Sequence, residues 1–327
     1  VPVYHVEKIS HTKISALDKS RTLVLATLSP IEVHGPHLPL GQDLFEATLM
    51  AERTAAALAE KRPDWNFLLL PPLSVATDCL PHLGSINYPV KLVRDVAYHA
   101  LEPFAKAGFA RLAYSSFHGG PRHICALEDA AVKLGRRYPN VAAVSLFSAV
   151  LARMKEGNVF FDGVEGKEGV EITLEQIKQD HHAGWVETSI GLRQWSEMLE
   201  EGWEKLPASV SDPGEEGEEK NRSYLYGYGD RGSLVDRVNR NLNTARSIIR
   251  AIKHYNDHTY HGYPALASAQ QGEYLVEHLA GVSTEICERF LDEGRQFDGH
   301  SPLWKLKDLF LNGPVNKVAS DWLHLYS

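Results

Sequence analysis

The sequence predicts an α/β fold whose central sheet is parallel or mostly parallel and covered by helices. Over the first two-thirds of the 327 residues, short β-branched or leucine-rich runs alternate with longer stretches of helical period. Strand–helix–strand units produce that order. The short runs are also apolar throughout rather than alternating, which marks strands buried on both faces.

Thr22–Leu28 (TLVLATL) reads as the first strand of this series and Leu44–Lys61, rich in Ala, Leu and Met, as the helix after it. Asn66–Leu70 (NFLLL) is a second strand, stopped by Pro71 and Pro72. Leu92–Ala107 is helical by period, and Pro103 is expected to kink or break it. Ala110–Ser115 (ARLAYS) is a strand, and Pro121–Arg137 a helix with proline at its first position, where the missing N–H is no loss. Val141–Phe147 (VAAVSLF) reads as another strand. Leu206–Gly232 turns acidic and glycine-rich and reads as a surface excursion, mobile or borrowed by a neighbouring subunit. Ser233–His254 returns to helical spacing, and Ala265–Ser327 holds two or more helical patterns interrupted by Asp298, Gly299 and Pro302.

Apolar residues make up 43% and charged residues 23% of the chain, as in a packed globule. A net charge of −8 argues against a nucleic-acid binder and against a polybasic membrane-surface protein. No apolar run reaches the roughly 18 residues of a spanning helix. The opening VPVYHVEKIS has neither the basic nor the apolar region of a signal peptide. Cys79, Cys125 and Cys287 are too few and too scattered for a disulfide framework or a thiolate zinc site, so a cytoplasmic protein is expected. Sixteen histidines, several beside Asp, Glu and Gly, suggest that any metal uses imidazole and carboxylate ligands.

Three polar clusters carry the candidate chemistry. SPIEVHGPHLPLGQD (29–43) follows the first strand directly, at the sheet end where α/β proteins bind ligands. Glu32 and His34 are two apart and point the same way in extended chain, while Asp43 arrives at a helix start. Taken alone, Asp43 reads equally as a helix N-cap, and His37 as a loop-packing residue. SSFHGGPRH (115–123) again joins a strand to a helix. His118 stands at the strand end, Gly119 and Gly120 permit close backbone approach, and the helix start offers N–H groups to an oxyanion. The bland readings are a tight turn and, for His123, packing. QDHHAGWVETS (179–189) places Glu187 one turn into a helix that begins near Ala183, able to point back toward His182. The plain alternative is an acidic first turn favoured by the helix dipole. Ala183 and Gly184 are read as leaving room for substrate. The loop TDCLPHLGS (77–85) brings His82 and Ser85 to the same edge, as substrate contacts or as loop-holding residues.

In this order and spacing, EVHGPHLPLGQD, HGG after a strand and HAGWVETS resemble the creatininase (creatinine amidohydrolase) family. The resemblance runs from about Thr22 to about Gly272 and takes in GYP (262–264) and ALASAQQG (265–272). It implies a three-layer αβα domain with a mostly parallel central sheet over residues 1–272, with 273–327 as a helical extension packed on the same domain. It implies a homo-oligomer, a hexamer. It also implies a divalent-metal centre, two ions of zinc, manganese or iron, held by Glu32, His34, Asp43 and His118, with Asp43 as the bridge. Creatininase itself has a further glutamate ligand two residues after the HisGly histidine; Gly120 stands there in this chain, and Glu187 completes the set. Pro121 replaces the usual Asn after HisGlyGly, and the tryptophan and Tyr-Glu features that suit creatinine are missing. The implied reaction is hydrolysis of a small non-peptide amide, cyclic or formyl, by a metal-activated hydroxide. Gly119 and Gly120 would hold the oxyanion, His182 would protonate the departing nitrogen, and His82, Ser85, Arg122 and His181 would shape the pocket. A non-catalytic ligand-binding relative and a metal-dependent sugar isomerase or lyase are the other readings of the same residues.

Overall fold

The run Thr22–Ser29 is buried along its whole length and forms the central strand of the sheet. The computed structural model describes residues 3–153, 158–210, 254–255, 257–312 and 316–317. Its six strands are β1 (Val3–His5), β2 (Thr22–Ser29), β3 (Asn66–Leu69), β4 (Leu73–Ser74), β5 (Arg111–Ser115) and β6 (Ala142–Ser145), in the order β1-β3-β2-β5-β6, with β4 paired to the end of β2. All of these pairings are parallel.

Successive side chains of a strand point to opposite faces, and β2 divides accordingly. Leu23 and Leu25 join Phe67, Leu69 and Ala113 in one core; Val24, Ala26 and Leu28 join Leu68, Leu112 and Tyr114 in the other. Helices α1 (Gln42–Lys61), α4 (Leu146–Arg153), α5 (Trp185–Gln194) and α6 (Ala269–Glu293) contribute to the first core, and α2 (Val90–Ala107) and α3 (Pro121–Arg137) to the second. The result is the expected three-layer α/β fold. Helix α6 crosses residue 272 without interruption and places Leu275, Leu279, Ile286, Cys287 and Phe290 in the first core.

One local expectation is narrowed and another fails. Helix α2 continues through Pro103, which lies on its exposed side. The His99 carbonyl that loses its helical partner there can be served by water, so one missing bond does not break the helix. Strand β6 stops at Ser145, and Leu146 and Phe147 begin α4. A short apolar run does not say whether burial is by strand or by helix. The acidic stretch beyond residue 210, and the predicted helix at 233–254 apart from His254, lie outside the described residues. Among the described residues no helix is long and apolar enough to cross a membrane.

The topology places the site. Strand β2 lies between β3 and β5, so the chain crosses from one side of β2 to the other through α2. Such a switch point opens a crevice at the carboxyl ends of the strands. The loops after β2, β4 and β5 meet there.

Candidate metal centre

Glu32 and His34 follow β2 on a loop closed by the bond from the Glu32 N–H to the Leu40 carbonyl, 2.9 Å. Asp43 lies inside the first turn of α1, whose N-cap is Gly41, so its carboxylate is not the cap. His118 arrives from the end of β5 and Glu187 from the first turn of α5.

Two carbonyls fix the histidine tautomers. His34 Nδ1 lies 3.0 Å from the Glu32 carbonyl oxygen, which can only accept, so Nδ1 donates. His34 Nε2 then faces Asp43 Oδ1 at 3.2 Å and Glu187 Oε2 at 3.9 Å. His118 Nε2 donates to the Thr77 carbonyl at 2.9 Å, and Nδ1 faces Asp43 Oδ2 at 3.0 Å and Glu32 Oε2 at 3.2 Å. Each imidazole therefore turns one nitrogen toward two carboxylate oxygens, and Asp43 supplies one oxygen to each group. Glu32 Oε2 and Asp43 Oδ2 are buried without a hydrogen-bond partner. Buried charges need a counter-charge or a metal. Among the described residues, three sets could hold an ion, with ligand atoms within 4.8 Å of one another: His34, Asp43 and Glu187; Glu32, Cys79 and His118; and Glu32, His34 and His182.

The electrostatics point the same way. Burial opposes charge on His34, but Asp43, Glu187 and Glu32 outweigh it and hold its pKa at about 10. His118 is also raised: burial opposes, and Glu32 and Asp43 prevail. Asp43 is lowered because His34 and His118 overcome the effect of burial. Glu187 is pushed up to about 8 by burial and by Asp43, against the pull of His34. A divalent cation would occupy the place of the protons these rings retain, and the imidazole and carboxylate donors suit zinc, manganese or iron.

His182 packs against His34 with ring centroids 4.3 Å apart and the planes tilted by 34°, and its Nε2 donates to the Val33 carbonyl at 2.7 Å. Burial and the charge on His34 lower its pKa to about 4, so the ring is neutral at pH 7. Glu187 also accepts from the Ala183 N–H, so the helix-start reading and the proximity to His34 both hold. The room expected at Gly184 is taken: a side chain there would run into the Asp180 carboxylate, which caps α5 by accepting from the Trp185 and Val186 N–H groups.

The remaining candidates hold loops. Ser85 Oγ accepts from the Val33 N–H at 3.0 Å, and His82 Nε2 donates to the Tyr255 carbonyl at 2.7 Å. Arg122, buried, bonds Asp78 through both its N–H and Nε and reaches Asn316 through Nη1. The His181 N–H donates to the His261 carbonyl at 2.9 Å, and burial lowers the ring's pKa to about 4. His37 bonds Thr188 Oγ1 at 2.8 Å, and His123 bonds Ser116 Oγ at 3.1 Å, both in packing positions. Gly119 is exposed with open space about it.

Gly120 is the opposite case. A Cβ there would lie 2.6 Å from His118 Nε2, 2.8 Å from Asp78 Cβ and 2.9 Å from the Thr77 carbonyl oxygen. A glutamate side chain has no room at this position without a shift of its neighbours. Gly120→Ala is expected to cost about 1–3 kcal/mol of stability, the usual scale of overpacking, and to loosen His118 from Thr77. Denaturant unfolding checks the first and metal content the second.

Two residues escaped the sequence reading. Cys79, one of three cysteines too scattered in sequence to read as a thiolate site, lies in one set with Glu32 and His118. Glu46 lies three residues after Asp43 on the same helix, buried, with Oε1 accepting from Gln42 at 2.9 Å. Burial, Glu187 and Asp43 push its carboxyl well above the usual range. The signal for Glu46 was its i, i+3 spacing from Asp43.

A family model described as creatininase, creatinine amidohydrolase, matches residues 7–287. A protein of known structure from Bacteroides fragilis NCTC 9343, assigned as a creatinine amidohydrolase, is 18% identical with a TM-score of 0.56, over 90% of this chain and 97% of that one. Creatininase is 16% identical with a TM-score of 0.56, over 88% and 97%. A manganese form of creatininase is 16% identical with a TM-score of 0.55, over 88% and 98%. At these identities the solved structures speak for the fold. None of the curated proteins matches the sequence.

Proposed function

Since the chain belongs to the creatininase (creatinine amidohydrolase) family, we propose that it is a divalent-metal-dependent amidohydrolase cleaving a small non-peptide amide, cyclic or formyl. Membership and the ligand sets together support metal-dependent amide hydrolysis in general; the substrate class and the residue roles are our reading. The observation that carries it is Asp43, with one oxygen in each of two imidazole–carboxylate groups.

Glu32, Asp43 and His118 would hold one ion, and His34, Asp43 and Glu187 the other. Divalent cations here would polarise an amide carbonyl and bring the pKa of water from 15.7 to about 7. A manganese form and a Zn–Zn mutant form are known for creatininase, and the same donors suit either ion here.

His182 carries the proton. Its Nε2–H is engaged by the Val33 carbonyl, so Nδ1 is the nitrogen left to accept. A neutral ring with a pKa of about 4 is not a standing acid. It takes a proton from the attacking water and delivers it to the departing nitrogen. Gly119 and Gly120 offer the oxyanion their N–H groups, and Gly119 leaves the approach open. His82, Ser85, Arg122 and His181 shape the pocket indirectly, by pinning the loops that form it.

The test is to reload metal-free protein with zinc, manganese or iron and to offer formamides, cyclic amides and sugars. Metal-dependent amine release from an amide is expected. Sugar isomerisation without amide cleavage, or full metal content with no turnover of any kind, would overturn the reading in favour of an isomerase or a binding protein. We also propose a homo-oligomer, a hexamer in the cytoplasm; light scattering that gives a monomer at micromolar concentration contradicts the assembly.

A further inference from the structure

We propose that Cys79 Sγ is a ligand of the ion held by Glu32 and His118. That half of the centre becomes a sulfur-containing, zinc-selecting position, and the His34–Asp43–Glu187 half keeps the open one. The proposal rests on the metal-centre reading above and adds to it a fourth donor of different chemistry.

The loop after β4 is built to bring Cys79 inward. Asp78 adopts a left-handed backbone conformation, φ 68°, which aspartate tolerates better than most residues and which its neighbours can hold in place. Arg122 does so, donating from its N–H to Asp78 Oδ2 at 2.6 Å and from Nε to Oδ1 at 2.5 Å. On one side of that turn the Thr77 carbonyl accepts from His118 Nε2; on the other the Leu80 N–H donates to Glu32 Oε1 at 2.6 Å. The residues flanking Cys79 are thus bonded to the two side chains that would be its fellow ligands. Its Sγ lies within 4.8 Å of ligand atoms from both, and the residue is 1% exposed.

A second observation is independent of the cysteine. Glu32 Oε2 and Asp43 Oδ2, both buried and without hydrogen-bond partners, lie 3.2 and 3.0 Å from His118 Nδ1. The thiol's own bond, to the Ile86 carbonyl at 3.4 Å, is weak and easily given up. Cys125 and Cys287 are buried elsewhere and belong to no ligand set among the described residues.

One thiolate, one imidazole and two carboxylates make four protein donors, the number of a closed zinc position. Thiolate also favours zinc over manganese, which prefers oxygen. The other half has three protein donors, the number that leaves a position for water or substrate, and it lies on the side of His182. Binding breaks the Cys79 S–H bond, forms a sulfur–metal bond and releases one proton to solvent.

Cobalt(II) is the probe. Metal-free full-length protein loaded with cobalt should show visible d–d bands, which report ions in the centre, and a near-ultraviolet thiolate-to-cobalt charge-transfer band, which reports sulfur. Cys79→Ser should keep the d–d bands, lose the charge-transfer band completely, and shift its preference from zinc toward manganese. Wild-type d–d bands without charge transfer would overturn the role of Cys79 and leave the metal centre standing. A charge-transfer band that survives in Cys79→Ser and Cys79→Ala would also overturn it, since another thiol would be the ligand. No cobalt uptake at all would overturn the centre and this proposal together. If Cys79→Ser fails to fold, Cys125→Ser and Cys287→Ser decide instead: the charge-transfer band should persist in both, and its loss in either would overturn the role of Cys79.

Discussion

Asp43→Ala should lose both ions and, with them, all turnover that depends on metal. Asp43 Oδ1 faces His34 Nε2 and Oδ2 faces His118 Nδ1, so its carboxylate offers one oxygen to each imidazole. Its removal withdraws one donor from each half of the centre. The lowering of water's pKa from 15.7 to about 7 goes with the ions. Two controls set the scale. Glu187→Gln touches only the His34 half, and an amide is a poorer ligand for a divalent cation than a carboxylate, so one ion should weaken and the other stay. His37→Ala should leave both in place, because His37 is held by Thr188 and faces no carboxylate among the described residues. The fold should survive all three changes; in Asp43→Ala the helix start remains with Gly41 as its cap. Elemental analysis beside circular dichroism is the measurement. Two ions per chain in folded Asp43→Ala would remove the bridge, and with it the observation on which the proposed function rests.

What the sequence disclosed follows from how each feature is encoded. Strand β2 was legible as a short unbroken apolar run, and helices α1 and α3 because their burial is periodic along the chain and proline marks the start of α3. The ligand loop was legible because several ligand-type residues fall within 29–43, directly after a strand. Features set by contact across the fold were not. Gly184 is small because Asp180, capping α5, fills the space a side chain would need, and nothing local distinguishes that from a gap left for substrate. Arg122 is read from the chain as a pocket residue beside His118, but its partner Asp78 is 44 residues away and comes from another loop. Cys79 has no neighbour in sequence that marks it as a ligand; its company is provided by β2 and β5, which the sheet order brings to either side of one crevice. The three-residue strand β1 is too short to carry a pattern and is fixed by its pairing with β3.

His182→Asn should keep both ions and lose roughly 10²- to 10⁴-fold in kcat, the range of a missing acid–base group. The backbone of His182 is fixed independently of its ring: its N–H donates to the His261 carbonyl at 3.1 Å, and its carbonyl accepts from the His261 N–H at 2.7 Å. Asparagine can still donate to Val33 but has no nitrogen that takes up a proton near neutral pH. The pH profile sharpens the test. Wild-type activity should fall as pH drops below the ring's pKa of about 4, because a ring that already holds a proton cannot accept the one from water. The variant's residual activity should lack that limb. A wild-type rate in His182→Asn would mean that another group carries the proton, and His181, half-buried beside His261 at 4.9 Å between rings, would be the next to change. Loss of metal in the same variant would mean something different. His182 also belongs to a set with Glu32 and His34 whose ligand atoms lie within 4.8 Å of one another. An ion lost there would make His182 a ligand, and the leaving-group proton would then have to come from the solvent side of the site.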